Sequence, residues 1–195
     1  MTIEADYDPH RVERKRDHFV LISGCSSAGK SSLLAELWRR GYRTFEEPGR
    51  QIVKEQLHIG GDALPWQDAA NFIDQIIVRA MHHMITAART DEIAFFDRGI
   101  IDAVSAIERM NLPMPAHYIA AREKYRYNRK VFLAPPWPEI FENDAERRHS
   151  FADAAREYDA LESAYPRHGY EIVVLPKVGV QARADFVMTT LGLGG

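Results

Sequence analysis

Eight residues, Gly24-Cys25-Ser26-Ser27-Ala28-Gly29-Lys30-Ser31, fit the pattern G-x-x-x-x-G-K-[ST] and lie just after the apolar run Phe19-Val20-Leu21-Ile22. A helical pattern opens near Ser31 and runs to Arg40. A strand, a glycine-bearing loop and a helix in that order form a cradle for phosphate. Backbone N–H groups converge on a β-phosphate, Lys30 neutralises β and γ oxygens, and the Ser31 hydroxyl can ligate Mg²⁺. The helix N-terminus adds its own partial positive charge. Gly24, Cys25, Ser26, Ser27, Ala28, Gly29, Lys30, Ser31 and Ser32 are therefore the candidate contacts for ATP, with Mg²⁺ as its companion ion. GTP remains an equal fit to the loop itself, because no base-reading pattern is present.

The rest of the chain supplies the sheet that such a loop needs. Tyr42-Arg43-Thr44-Phe45 reads as a second strand, and a helical pattern reaches Leu57 before a Gly60-Gly61 break. Pro65 is placed to open a long helix in which Phe72/Ile73, Ile76/Ile77, Ala80/Met81 and Met84/Ile85 recur at helical spacing. Ile93-Ala94-Phe95-Phe96 is a continuous apolar run of the kind buried on both faces of a parallel sheet. Helical patterns follow over about Ile100 to Met110 and Ala116 to Tyr125. Val131-Phe132-Leu133 forms a fourth strand, ended by a proline-rich stretch, and Glu171 to Leu175 a fifth. Between them, Ser150 with Asp153 signals a capped helix that Gly169 stops, and a last helix spans about Val180 to Leu191. Strands alternating with helices predict an α/β fold, a five-stranded parallel sheet flanked by helices, with ligands at the carboxyl ends of the strands.

Length and charge narrow the class. The 195 residues suit one domain, taken as residues 18–195 after an N-terminal arm of residues 1–17 whose basic cluster reads as solvated. A net charge of −3 argues against a dedicated nucleic-acid binder, and no apolar segment is long enough to span a bilayer. The arm has no apolar core of the kind found in a secretory signal. The single cysteine, Cys25, excludes an internal disulfide and a cysteine zinc cluster, which fits a reducing, cytoplasmic setting. Cys25 itself reads as a small loop residue, the alternative being a thiol activated by the helix terminus.

Chemistry beyond the loop falls to a few polar residues. Glu46-Glu47 follows the second strand and Asp97-Arg98 the third, so the fold should bring both pairs to the edge that carries the loop. Glu47 can position or deprotonate an acceptor hydroxyl, and Asp97 can hold Mg²⁺ with Ser31. Arg98, and Arg50 one turn into the next helix, are candidate grips for acceptor or phosphate, the alternative being surface ion pairs. A polar stretch at about residues 139–149 reads as a short lid, whose Arg147 and Arg148 can close over the γ-phosphate. Arg122, Arg126 and Arg129 are weaker candidates, explained as well by a solvated helix face. His82 and His83 are adjacent on a helix and point apart, which disfavours a metal pair. Lys177, after the fifth strand, is a positional candidate for a base contact.

With these motifs assembled, the chain resembles the P-loop ATPase/kinase family that includes nicotinamide riboside kinase domains. At Glu47-Pro48 and Asp97-Arg98 it also resembles deoxynucleoside and thymidylate kinases. The resemblance spans Phe19 to about Leu191, and its most specific part is the loop. It implies that Lys30 and Ser31 bind triphosphate and Mg²⁺, that Glu47 or Asp97 is the base or metal-positioning acid, and that Arg147 or Arg148 is the lid arginine. The implied activity is transfer of a γ-phosphoryl group to a hydroxyl of a nucleoside-like or other polar metabolite. The Glu-Glu-Pro-Gly-Arg and Asp-Arg-Gly segments differ in detail from those of nicotinamide riboside kinases, which leaves the acceptor open. The loop wording also resembles chloramphenicol phosphotransferase, so an antibiotic acceptor is a further alternative. A regulatory nucleotide-dependent ATPase, acting on a protein partner rather than a small molecule, is the alternative from another class. The sensor arginines and extra helical domain of ring-forming AAA machines are not seen.

Overall fold

The computed structural model describes residues 7–142 and 150–193. Its centre is a sheet of five strands: β1 (Phe19–Gly24), β2 (Arg43–Phe45), β3 (Ala94–Asp97), β4 (Lys130–Ala134) and β5 (Glu171–Val174). All pairings are parallel and the order is β2-β3-β1-β4-β5. Every residue of β1 and of β3 is buried, as expected for strands covered on both faces. β5 lies at an edge, and its Val174 is 47% exposed.

Helices fill the crossovers. They are α1 (His10–Arg14), α2 (Lys30–Arg39), α3 (Pro48–Ile59), α4 (Ala69–Ala87), α5 (Ile100–Arg109), α6 (Ala116–Lys124), α7 (Phe151–Arg167) and α8 (Val180–Leu191). Local chemistry explains most of their ends. Pro48 takes the first position of α3, where its missing N–H costs nothing. Ser150 Oγ accepts from the Asp153 N–H while Asp153 accepts from the Ser150 N–H, a reciprocal cap for α7. Gly169, with φ of 80°, turns the chain after α7 towards β5.

Two sequence expectations need correction. Pro65 does not open α4; residues 65–67 form a turn, and Asp68 caps the helix by accepting from the Asn71 N–H at 3.0 Å. A carboxylate that satisfies an orphan N–H outweighs a proline's fixed φ as a start signal here. The basic stretch before β1 is not simply solvated. Val12 is fully buried, and Lys15 Nζ donates to the Ala88 and Thr90 carbonyls and pairs with Asp91 at 2.8 Å. No helix among the described residues is long and apolar enough to cross a membrane.

Sheet register positions the site. Ile22 of β1 pairs with Asp97 of β3, and the Arg98 N–H donates to the Ile22 carbonyl at 2.9 Å. The acid that ends β3 therefore stands beside the start of the Gly24 loop.

Candidate functional site

The loop between β1 and α2 is shaped by backbone contacts. At Gly24 (φ 111°) a Cβ would come within 2.4 Å of the Ala134 carbonyl oxygen, so only glycine lets the chain pass β4. The Cys25 N–H then donates to that same carbonyl at 2.8 Å. Ser27 (φ 56°) and Gly29 (φ 76°) bend the loop into the first turn of α2. Lys30 is only 3% exposed, and its Nζ donates to the Cys25 carbonyl at 2.8 Å, which curls the ammonium back over the loop. A phosphate seated among the loop N–H groups meets that charge directly. Burial pushes the Cys25 thiol up, against the partial lowering from Lys30, the opposite direction to that of an activated thiol.

Ser31 Oγ lies 3.5 Å from Asp97 Oδ2, and Asp97 is 2% exposed. A hydroxyl and a carboxylate side by side at the head of a phosphate loop form an oxygen donor set of the kind that suits Mg²⁺, with phosphate and water completing the shell. Ser32 lies at the exposed mouth of the loop. Ser27 Oγ donates to the Glu142 carbonyl at 2.6 Å, tying the loop to the segment after β4.

Around Arg98 several opposite charges gather. Arg98 sits at φ 61° between β3 and α5, which turns its side chain inward. Its guanidinium lies 3.4 Å from Glu47, 3.2 Å from Asp102 and 2.9 Å from Glu157. Burial disfavours the Arg98 charge, but Glu157, Glu47, Asp102 and Asp97 together hold its proton far more tightly than usual. Glu157 also loses water, yet Arg98 keeps its carboxyl below the usual range. Asp102 accepts from the Gly99 N–H at 2.8 Å, from Tyr165 Oη at 2.7 Å and from Ser23 Oγ. It thereby ties α5, β1 and α7 into one polar core.

This cluster contributes to the lining of a cavity of about 190 Å³. Glu47, Arg98, Asp102, Arg109 and Glu157 supply its charged groups, and Val53, Phe72, Ile73, Ile76 and Met110 its apolar ones. A largely apolar lining with a few charged groups suits a flat ring carrying hydroxyls. A larger cavity of about 580 Å³ lies over the loop, lined by Gly29, Lys30, Ser31 and Ser32 and walled by Trp137, Val178, Gly179 and Arg183. A third, of about 450 Å³, lies between α2 and α3 and includes Ser31, Glu46, Glu47 and Asp97. Arg50 is common to all three linings.

Of the residues singled out in the sequence, the loop, Glu47, Arg50, Asp97 and Arg98 converge on one end of the sheet. Arg147 and Arg148 lie outside the described residues. The wall after β5 is built by residues 178–180 and Arg183 rather than Lys177. Arg126 is a packing residue: it stacks 4.1 Å over the Tyr170 ring and donates to the His168 carbonyl at 2.7 Å. The His83 ring packs against Phe45 at a tilt of 38°, and no group of three or more His, Cys, Asp or Glu placed to hold a metal occurs among the described residues. Sequence reading missed Asp102, Glu157 and Arg183. Asp102 carried one usable signal, an acid three residues after Gly99 at a helix start.

A family model described as an AAA domain matches residues 19–183. No curated protein matches the sequence. Among solved structures, deoxyadenosine kinase from M. mycoides with bound dATP superposes with a TM-score of 0.59 at 15% identity, covering 89% of this chain and 98% of that one. The same kinase with products dCMP and a flexible dCDP gives 0.63 at 16% identity, with the same coverage. The NadR protein in complex with NR gives 0.66 at 17% identity, covering 94% of this chain but 54% of that one. The fold is therefore that of P-loop nucleoside kinases, an all-parallel α/β sheet flanked by helices.

Proposed function

This chain belongs to the AAA domain family of P-loop proteins, and from that premise we propose that it is an ATP- and Mg²⁺-dependent kinase of a small hydroxyl-bearing metabolite, nucleoside-like in shape. The observation that carries the reading is that two cavities share Arg50 in their linings. One lies over Lys30 and Ser31; the other holds Glu47 and Arg98 against an apolar wall. A donor triphosphate and a ring-bearing acceptor can then meet end to end, with the transferring group between them beside a guanidinium. The neighbours' bound dATP, dCMP and NR favour acceptors of the nucleoside class.

The catalysis is mostly positioning and charge stabilisation. Loop N–H groups and Lys30 hold the phosphates. Ser31 and Asp97 would hold Mg²⁺, which would supply neutralisation of phosphate charge there. Glu47, oriented by Arg98, accepts the proton of the attacking acceptor hydroxyl. Arg50 steadies the charge that spreads over the transferring oxygens. Phe72, Ile76 and Met110 exclude water from the acceptor, which limits idle hydrolysis.

The test is transfer of label from [γ-³²P]ATP with Mg²⁺ to pooled nucleosides, nucleoside monophosphates, NR, sugars and phenicol or aminoglycoside antibiotics, with Lys30→Ala as control. A labelled product that vanishes in Lys30→Ala, while the melting curve of the variant stays cooperative, supports the kinase and identifies its acceptor pool. Lys30-dependent release of free phosphate that no pool diverts would overturn it in favour of a regulatory ATPase.

A further inference from the structure

Only two cations are buried among the described residues, and both lie at the phosphate loop. One is Lys30. The other is Arg183, in the second turn of α8 and 3% exposed. Its Nη1 donates to the Ala28 carbonyl at 2.9 Å, and its guanidinium carbon stands 5.7 Å from the centre of the Trp137 ring. Contact with the loop is close: a Cβ on Gly29 would come within 2.8 Å of that same nitrogen.

What sets Arg183 apart is that no described residue supplies it with a counter-charge. Arg98, whose side chain is 12% exposed, is held by three carboxylates of the chain. Arg183 makes no ion pair among the described residues, and its Nε is buried with no hydrogen-bond partner there. Burial alone lowers its affinity for the proton, with no carboxylate to restore it. A guanidinium nevertheless stays charged in proteins, and a buried charge without a partner is costly. Both costs fall if an anion arrives from outside. Arg183 lines the cavity over Lys30, Ser31 and Ser32, the place where a polyphosphate chain would lie.

We propose that Arg183 is a second nucleotide-binding cation, supplied by α8, whose counter-charge is the polyphosphate of the bound nucleotide. Stacking on Trp137 and bonding to Ala28 hold it in place before the nucleotide arrives. The nucleotide then meets a cation already seated on the loop, so that affinity rises with the number of phosphates. The inference rests on the nucleotide-binding part of the function proposed above and adds a residue that no loop motif contains.

Titration calorimetry with ATP, ADP, AMP and adenosine on wild type, Arg183→Met, Arg183→Lys and Lys30→Ala tests it. Arg183→Met should weaken ATP binding about ten- to a hundredfold, as expected for a lost charge-assisted contact. It should weaken AMP binding less and leave adenosine unchanged, and Arg183→Lys should recover part of the ATP loss. The melting temperature of Arg183→Met without nucleotide should equal or exceed that of wild type, because an uncompensated buried charge has been removed. Equal losses for ATP and adenosine would overturn the proposal in favour of base stacking. ATP affinity in Arg183→Met equal to that of a wild type whose binding depends on Lys30 would overturn it alone. A wild type that binds no nucleotide would instead overturn the proposed function and this inference together.

Discussion

Glu47 Oε1 lies 3.4 Å from Arg98 Nε, although the two residues come from different crossovers of the sheet. Glu47 caps α3 after β2, and Arg98 follows β3, so the parallel pairing of β2 with β3 brings them together. The guanidinium fixes the direction of a carboxylate that would otherwise swing on three rotatable bonds.

Glu47→Gln tests this arrangement. The amide keeps the size and one acceptor oxygen but loses the base, so turnover should fall about a hundredfold or more while the apparent ATP affinity changes little. Steady-state kinetics at varied ATP and fixed acceptor separate the two. A loss confined to ATP affinity would place Glu47 on the donor side instead.

Asp102 should prove to be the keystone of stability under the acceptor cavity. It accepts from Arg98, Gly99, Tyr165 and Ser23. Asp102→Ala strands several buried donors and leaves Arg98 short of charge, so unfolding in urea should show a loss of about 3–5 kcal/mol. Asp102→Asn keeps an acceptor oxygen and should lose clearly less. Equal losses would mean that volume, not hydrogen bonding, is what matters at this position.

The pH dependence of stability should carry a signature from His83. Burial, together with the charges of Arg79 and His82, holds its imidazole down at about 4 from an ordinary 6.5. The folded protein thus keeps His83 neutral where the unfolded chain would bind a proton. Stability from this residue is complete above pH 6.5 and is lost as pH falls towards 4. Melting temperatures of wild type at pH 7 and pH 5 should therefore differ more than those of His83→Phe, which keeps the ring packed on Phe45. Identical differences in the two proteins would remove His83 from the account.

The sequence was most readable where function and local pattern coincide. The loop needs glycines and a lysine at fixed spacing, and the buried strands need unbroken apolar runs, so β1, β3 and α8 were foreseen nearly to the residue. Asp97 was legible because it ends such a run. Glu157 was not, since an acid next to Tyr158 in an amphipathic helix looks like part of a solvated face. Only the packing of α7 on α5 sets it against Arg98. Arg183 was hidden for the same reason. Its burial depends on the approach of α8 to α2, a contact about 150 residues apart in the chain, which helical periodicity does not encode. The misplaced start of α4 is a different kind of miss, in which Pro65 and Asp68 offered competing local signals and the hydrogen-bonding one prevailed.

The bond from the Cys25 N–H to the Ala134 carbonyl has a bearing on how the protein is made. β1 leaves the ribosome well before its partners β3 and β4, which come more than seventy and more than one hundred residues later. Such distant pairings form slowly, because long stretches of chain must be closed before they are rewarded. The phosphate loop cannot take its final curve until the end of β4 has been synthesised and has entered the sheet. A nascent chain that ends before residue 134 should therefore hold the whole signature sequence and still have no grip on a nucleotide. Nucleotide in the cell would then act as a late checkpoint, favouring only chains whose central three strands have already paired.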